Sequence, residues 1–125
     1  MIVALLVDDD PAHRLMARRA LIKAHTAITV VEAESLANGT QAFDQNSLHL
    51  LVIDLNLAGA SGLDLIRYAR GRSGTIPIIA ISTSSLEADV AAAYNAGANI
   101  FVFKADSLRS FPSDLSAAAT YLLRL

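Results

Sequence analysis

Five apolar runs recur along the chain, and each is followed by an amphipathic stretch of helical length. Apolar runs of this kind are typical of strands that are buried on both faces of a parallel sheet. Strict alternation of strand and helix predicts one parallel sheet with right-handed crossovers and helices on both faces. The predicted strands are Ile2–Val7, Thr29–Ala33, Leu48–Ile53, Ile78–Ile81 and Ile100–Phe103, and the predicted helices cover about Pro11–His25, Ser35–Asn46, Gly62–Arg70, Leu86–Asn95 and Pro112–Leu125.

Helix caps and turn residues agree with this segmentation. Asp10 followed by Pro11 predicts an N-cap with proline at the first helical position. Gly97 after Asn95 and Ala96 predicts a helix stop in the left-handed conformation. Gly59 and Gly62 fit a tight loop after the third strand. Because no repeat, linker or low-complexity segment interrupts the 125 residues, we expect a single domain over 1–125.

Reactive side chains follow four of the five predicted strands. Asp54 follows the third strand, Asp8 and Asp9 the first, Ser82 the fourth and Lys104 the fifth. The carboxyl ends of parallel strands form one edge of a sheet, and open α/β sheets bind their ligands there. Acids, a hydroxyl and an ammonium at one edge predict a site that accepts a phosphoryl group.

This arrangement also selects a strand order. The flavodoxin-like α/β fold, a doubly wound parallel five-stranded sheet, has the order 2-1-3-4-5. The first and third strands are then central neighbours, and all four reactive tips converge on one crevice. The second strand falls at the sheet edge, and its end at Glu32–Glu34 lies away from the site.

Composition excludes several function classes. A hydrophobic content of 54% fits a buried parallel sheet, and no apolar stretch approaches the ~18 residues that span a bilayer. The chain has no cysteine, which excludes disulfides and thiolate metal sites. Ten basic and twelve acidic residues leave a net charge of −2 without a basic stripe. We therefore expect a cytoplasmic protein that binds neither membranes nor nucleic acid directly.

The acids predict a metal site. Asp8, Asp9 and Asp54 repel one another when crowded, so the site should favour a divalent cation. Oxygen ligands without histidine or cysteine favour Mg²⁺, or Mn²⁺, and Mg²⁺ keeps several waters. Asn56 lies two residues beyond Asp54 and is placed to offer its backbone carbonyl to the metal.

The remaining groups have predicted roles in the reaction. Asp54 is the predicted nucleophile and forms an acyl phosphate. Phosphoryl transfer asks mainly for positioning and charge stabilisation. Lys104 supplies a positive charge to the phosphoryl oxygens, and Ser82 donates a hydrogen bond to one of them.

The segments LLVDDDPAHR, LVIDLNLAGASGLDLI, PIIAIST and NAGANIFVFK resemble the CheY-like receiver domains of two-component response regulators. The resemblance implies that Asp54 takes a phosphoryl group from a phosphohistidine on a sensor histidine kinase or a histidine phosphotransfer protein. It also implies that Ser82 and the aromatic residue Phe101 switch the face formed by helix 4, strand 5 and helix 5. Such a domain is a signalling switch that catalyses its own phosphorylation and dephosphorylation, without turnover of an external substrate. A downstream protein is its expected target.

Three positions beside the predicted site are candidate modulators. Thr83 is the residue that would share or replace the role of Ser82. Asn56 and Ser84, each two residues past a site residue, are hypothesised to set water access and the lifetime of the phosphate. Asp10 is better explained as a helix cap than as a ligand.

The three histidines have no partner at metal or catalytic spacing in the sequence. They lie in the first predicted helix, at its end and at the start of the third strand: His13, His25 and His49. We therefore predict ordinary structural roles for them.

Two positions depart from the family pattern. Ala105 follows Lys104 where the family usually has proline, often after a cis bond, and a cis bond to alanine costs about 2.5–4 kcal/mol. Ala58 likewise replaces a usual proline after Asp54. The stretch 105–114 is also longer than usual.

A phosphorylation-independent pseudo-receiver that docks a partner through the same fold is the main alternative. A phosphatase with an aspartate nucleophile is disfavoured, because that class usually carries a second aspartate where this chain has Asn56. A cofactor-binding flavodoxin relative is disfavoured as well, because no glycine-rich phosphate loop follows the first predicted strand. The sequence contains no output module, so we expect a stand-alone regulator or a domain cut from a longer protein.

Overall fold

The computed structural model describes residues 1–104 and 110–124. It contains seven strands and five helices in these residues, in the order β1(Ile2–Val7), α1(Pro11–Ala24), β2(Ile28–Ala33), α2(Leu36–Gln45), β3(Leu50–Asp54), β4(Asn56–Leu57), β5(Ala60–Ser61), α3(Gly62–Arg72), β6(Ile78–Ser82), α4(Glu87–Ala96), β7(Ile100–Phe103) and α5(Phe111–Leu123).

Five strands form one parallel sheet in the order β2-β1-β3-β6-β7. Because β4 and β5 form a separate two-stranded hairpin, this is the order 2-1-3-4-5 of the five predicted strands. The predicted flavodoxin-like α/β fold is therefore confirmed.

The predicted boundaries lie within two residues of those observed in the described part of the chain, and one difference has a visible cause. The third strand was predicted from Leu48 but begins at Leu50. The N–H of Val3 donates to the His49 ring nitrogen Nδ1 at 3.1 Å, so a side chain takes the place of a backbone partner there. The parallel register between β1 and β3 then begins with Ala4 beside Leu50.

The sheet has a hydrophobic core on each face, since successive side chains of a strand point to opposite faces. On one face, Ala4 and Leu6 of β1 pack in a cluster with residues of α1 and α5. On the other, Leu5 and Val7 pack in a cluster with residues of α2, α3 and α4. Burial on both faces explains why the strands read as continuous apolar runs.

Caps fix the helices close to their predicted ends. The Asp10 side chain accepts from the backbone N–H groups of Ala12 and His13, which confirms the predicted N-cap of α1. Gly97 ends α4 with φ of 124°, as its predicted left-handed conformation requires. Helix α4 begins after Leu86, and no side chain makes a cap hydrogen bond to its first turn.

The hairpin of β4 and β5 was not predicted beyond a tight loop. It pairs Asn56 with Ser61 and Leu57 with Ala60 in antiparallel fashion. The two turn residues both have positive φ, 33° at Ala58 and 87° at Gly59. Two positive φ angles are what a two-residue type I′ turn requires. Proline, with φ fixed near −65°, does not fit this conformation at position 58.

Within residues 1–104 and 110–124, no helix is long and apolar enough to cross a bilayer. The bond from Lys104 to Ala105 and the stretch 105–109 lie outside the described residues, as does Leu125.

Candidate functional site

The carboxyl ends of β1, β3, β6 and β7 bring polar side chains into the protein interior. Asp8, Lys104, Ser82 and Asp54 are 0%, 1%, 1% and 5% exposed, and they are the buried polar residues of the described chain. Charged side chains are almost never fully buried unless they are paired. Their burial at one edge therefore indicates a built site rather than a solvated turn.

Lys104 is the centre of this site. Its ammonium nitrogen Nζ lies 2.8 Å from Asp8 Oδ2 and 2.9 Å from Asp54 Oδ2. Its backbone N–H donates to the carbonyl of Ser82 at 2.7 Å, which anchors the end of β7 to the end of β6. The lysine thus bridges carboxylates from two central strands while its own backbone is held by a third.

Hydrogen bonds fix both the backbone and the side chain of Asp8. Its Oδ1 accepts the N–H of Asp10 at 2.9 Å, and its own N–H donates to the carbonyl of Ala33 at 3.1 Å. Arg14 of α1 donates to the Asp8 carbonyl at 2.8 Å. Both ends of this residue are therefore fixed, and its Oδ2 is directed at Lys104.

Asp54 has an unusual electrostatic environment. Burial, together with the negative charge of Asp8, raises the pKa of its carboxyl to about 6, against the opposing effects of the Asn56 N–H and of Lys104. The Asn56 N–H donates to Asp54 Oδ1 at 3.1 Å. At pH 7 and above the group is still mostly ionised and has the form of a nucleophile.

Asp8, Asp9 and Asp54 each offer a carboxylate oxygen, and these oxygens all lie within 4.8 Å of one another. Three hard oxygen donors at this spacing suit Mg²⁺ or Mn²⁺. Asp9 is partly buried. The acidic cluster therefore fits a divalent cation.

Ser82 ends β6 next to Asp54 in the sheet, since Asp54 pairs with Ile81. Its Oγ accepts the N–H of Ser84 at 3.0 Å. A cavity of about 110 Å³ separates the hairpin from α4 and is lined by Leu55, Asn56, Ser61, Leu63, Ser82, Asp89 and Ala92. Ser82 and Asn56 thus border the same space.

The other predicted neighbours of Ser82 differ in position. The Ser84 hydroxyl donates to Asp89 of α4 at 2.5 Å and accepts the N–H of Leu86 at 3.3 Å. Ser84 therefore ties the loop after β6 to the first turn of α4. Thr83 is exposed.

Phe101 lies in the edge strand β7 and is partly buried against the core that α2, α3 and α4 cover. Its backbone N–H donates to the Tyr94 hydroxyl at 3.1 Å, so a residue of α4 holds the outer side of this strand. Tyr94 and Phe103 are 46% and 39% exposed, and Tyr121 of α5 is 74% exposed.

One residue near the site, His13, was not predicted to lie there. His13 Nδ1 lies 3.0 Å from Lys104 Nζ. The prediction of an ordinary structural role followed from sequence spacing, and the two residues are 91 positions apart. His25 and His49 have the predicted structural roles, because their Nδ1 atoms accept the N–H groups of Ala27 and Val3. A histidine three residues after a helix cap was the available signal, and it was insufficient alone.

The fold and the site define an α/β domain with an acidic cluster, a buried lysine and a buried hydroxyl at one edge of its sheet. A comparison with protein families matches residues 4–113 to the response regulator receiver domain. The chain belongs to this family, and it is a receiver domain of two-component signalling. Receiver domains are switches rather than turnover enzymes; histidine kinases phosphorylate them, and they bind Mg²⁺ at an acidic pocket and act on downstream effectors.

Curated relatives agree with the family. The chain is 36% identical over 106 residues to the two-component response regulator ORR41 of Oryza sativa subsp. japonica, covering 83% of this chain and 84% of that protein. It is 35% identical over 118 residues to the regulatory protein VirG of Agrobacterium tumefaciens, covering 91% of this chain. The match spans only 42% of the length of VirG.

Solved structures agree with the fold. A two-component response regulator of the LuxR family from Aurantimonas sp. SI85-9A1 superimposes with a TM-score of 0.84 at 29% identity, covering 98% of this chain and 84% of that one. A two-component response regulator from Clostridium difficile gives a TM-score of 0.85 at 19% identity, covering 99% of this chain and 97% of that one.

Proposed function

We propose that residues 1–125 form one phosphoacceptor receiver domain in which Asp54 takes a phosphoryl group from a phosphohistidine donor. The observation that supports this most directly is the buried contact of Lys104 with Asp54 and Asp8, at 2.9 and 2.8 Å. A buried cation between two carboxylates is costly as a purely stabilising device. It is well suited to a site that must neutralise incoming phosphoryl oxygens.

Each side chain has a role in this proposal. Asp54 attacks the phosphorus and forms an acyl phosphate, and the donor nitrogen leaves with the bonding electron pair. Lys104 exchanges its contact with Asp54 for one with a phosphoryl oxygen, because phosphorylation removes the charge of that carboxylate. Ser82 turns its hydroxyl from the Ser84 N–H to donate to a second oxygen.

Asp8, Asp9 and Asp54, with the backbone carbonyl of Asn56, would hold Mg²⁺ or Mn²⁺. When bound, the cation neutralises the acids and the phosphoryl oxygens. The carboxylates of Asp8 and Asp9 lie within reach of Asp54 and supply hard oxygen donors. Asn56 additionally holds Asp54 through its N–H and borders the cavity beside Ser82, where it would limit water access and the lifetime of the phosphate. Ser84, tied to Asp89, would restrict the same loop.

The output of the switch would be the face of α4, β7 and α5. Movement of the Ser82 hydroxyl toward phosphate would draw in the loop before α4, and partly buried Phe101 would turn inward with it. The exposed aromatic groups of Tyr94, Phe103 and Tyr121 give a partner apolar surface on these three elements. A ligand-stabilised shift between two states is the physics expected of such a switch.

The donor would be a sensor histidine kinase or a histidine phosphotransfer protein, and the target a downstream protein. A donor of this kind would place the domain's work in the cytoplasm, and a cytoplasmic location is part of the proposal. The pseudo-receiver alternative lacks a supporting observation, because the acids, the hydroxyl and the lysine are brought together at one edge.

Incubation with Mg²⁺ and acetyl phosphate or phosphoramidate, followed by intact mass, tests the proposal. The wild type should gain the mass of one phosphoryl group, and Asp54→Ala should gain none. Removal of the cation with EDTA should abolish the adduct in the wild type.

The result distinguishes a phosphoacceptor receiver domain from a phosphorylation-independent docking module. No adduct with several donors, in protein shown separately to bind Mg²⁺, would favour a docking module. An adduct that persists in Asp54→Ala would assign the acceptor to another residue.

A further inference from the structure

His13 contacts the lysine of the site although the chemistry above does not use it. Its Nδ1 lies 3.0 Å from Lys104 Nζ, and the side chain is 21% exposed, so the imidazole closes the solvent side of a buried ammonium. A lysine ammonium has three protons to donate. Here the three acceptors are Asp8 Oδ2, Asp54 Oδ2 and His13 Nδ1, at 2.8, 2.9 and 3.0 Å.

The contact fixes the form of the imidazole. An ammonium is only a donor, so Nδ1 must accept and carry no proton. In the neutral ring the proton then lies on Nε2. That nitrogen faces Asp10 Oδ2 at 3.7 Å, which is too long for a hydrogen bond but favourable electrostatically.

The local sequence explains how the ring is placed. Asp10 Oδ1 accepts the N–H groups of Ala12 and His13 at 2.9 and 3.1 Å, so the cap of α1 also fixes the backbone of His13. The first turn of α1 thereby directs the ring toward the end of β7. Asp10 thus orients the His13 imidazole in two ways, through the backbone N–H of His13 and through the charge that faces Nε2.

We propose that His13 is a positioning residue that holds the Lys104 ammonium for phosphoryl transfer. The inference rests on the proposed function and goes beyond it. When phosphorylation removes the charge of Asp54, the lysine must give up one of its three acceptors. Asp8 and His13 keep the other two, so the ammonium pivots about two fixed contacts toward the phosphoryl oxygen instead of moving freely.

A ground-state measurement tests the contact without a phosphoryl donor. In ¹⁵N-labelled protein, long-range ¹H–¹⁵N correlation of the His13 ring should show the tautomer protonated at Nε2. In Lys104→Met the Nδ1 signal should move toward that of an unbonded ring nitrogen. A proton on Nδ1, or no change in Lys104→Met, would overturn the proposal.

A kinetic measurement tests the consequence. His13→Leu removes the acceptor and should slow phosphorylation by acetyl phosphate about tenfold, as expected when one hydrogen bond to a buried charged group is lost. Its affinity for Mg²⁺ should stay within about twofold, because His13 is not in the acidic cluster. His13→Asn keeps an acceptor near the Nδ1 position and should recover most of the rate.

The control is His25→Leu, which removes a histidine from the opposite end of α1 and should leave the phosphorylation rate unchanged. Equal rates in His13→Leu and the wild type would contradict the positioning role, as would His13→Asn being as slow as His13→Leu. If the wild type itself gains no phosphoryl group, the proposed function fails, and the ring spectrum still decides whether His13 holds Lys104.

Discussion

The buried charge of Asp54 lowers the stability of the folded protein. The carboxylate is 5% exposed and lies beside a second buried acid, with a single ammonium shared between the two. Two negative charges and one positive charge leave a net negative charge in a region of low dielectric. Replacing one of the two carboxylates by a neutral side chain should therefore increase the stability of the fold.

Asp54→Asn should therefore stabilise the protein when no divalent cation is bound. The folded pKa, raised by burial to about 6, exceeds the ordinary value of 3.8, so the folded state binds the proton more tightly than the unfolded chain. Stability of the wild type should then fall as pH rises from the ordinary value to the folded pKa, and stay low above it. At ~1.4 kcal/mol for each pH unit, the gain in Asp54→Asn at neutral pH is at most about 3 kcal/mol.

Urea unfolding in EDTA at several pH values measures this gain. The difference between the variant and the wild type should disappear as pH falls to about 4. A gain of equal size at pH 4 and pH 7.5 would mean that packing, not charge, is its cause.

The site was largely predictable at the level of single residues because its members end apolar runs. Asp8, Asp54, Ser82 and Lys104 are marked by position, and a parallel sheet brings such ends together without further information. His13 carries no such mark, since it lies inside a helix. Its contact depends on the rotation of α1 against β7, which the spacing of residues in sequence does not encode.

At the level of elements, the start of α3 packs directly against the end of β3. The N–H of Gly62 donates to the carbonyl of Leu55 at 2.9 Å. A Cβ added at Gly62 would lie 2.0 Å from the backbone oxygen of Asp54. The helix can approach the strand this closely only because position 62 has no side chain.

Gly62→Ala should destabilise the domain by about 3 kcal/mol or more, because the oxygen in the way belongs to backbone and cannot rotate aside. The shift would fall on Asp54, so the rate of phosphorylation should decrease as well. Urea unfolding and the acetyl phosphate assay measure the two effects.

Gly71→Ala is the matched control in the same helix, since nothing lies within 4 Å of a Cβ added there. It should stabilise the domain by roughly 0.5–1 kcal/mol through the better helix propensity of alanine. If the two variants have equal stability, the close contact at Gly62 is not the constraint.

The strands and helices were predictable from period and caps, but the β4–β5 hairpin was not. Its strands are two residues each, which is too short for a periodic pattern. One of its turn positions is Ala58, a residue that rarely adopts positive φ. The backbone pairing of Asn56 with Ser61 holds Ala58 in this conformation against its preference, and no residue pattern in so short a segment indicates that pairing.

At the scale of the whole molecule, Arg70 joins segments that are distant in sequence. Its Nε and Nη2 donate to the Gly97 carbonyl at 3.1 and 2.7 Å, and Nη1 donates to the carbonyls of Ser73 and Ile76 at 3.1 and 2.9 Å. A further Nη2 contact reaches Asn99 Oδ1 at 3.0 Å. The guanidinium thus fastens α3 to the loops before β6 and β7.

Arg70→Lys should lower the free energy of unfolding by about 2 kcal/mol, although it keeps the charge. A lysine cannot reproduce the planar fork, so carbonyls of two loops lose their donors. Urea unfolding measures the loss.

Arg67→Lys in the same helix is the control, because the contact of Arg67 with Asp64, at 3.4 Å, is exposed. We expect a change within about 0.5 kcal/mol for this variant. Equal losses in the two variants would show that the loops do not depend on the fork.

The contact between Asp8 and Lys104 has a consequence for how the domain comes into being. The two residues are 96 positions apart, one after the first strand of the sheet and the other after the last. During synthesis the acids therefore emerge long before the ammonium that balances them, and closing so large a loop is entropically costly. If Asp54 accepts a phosphoryl group as proposed, we expect it to do so only after the last strand of the sheet has docked and brought Lys104 to the acids.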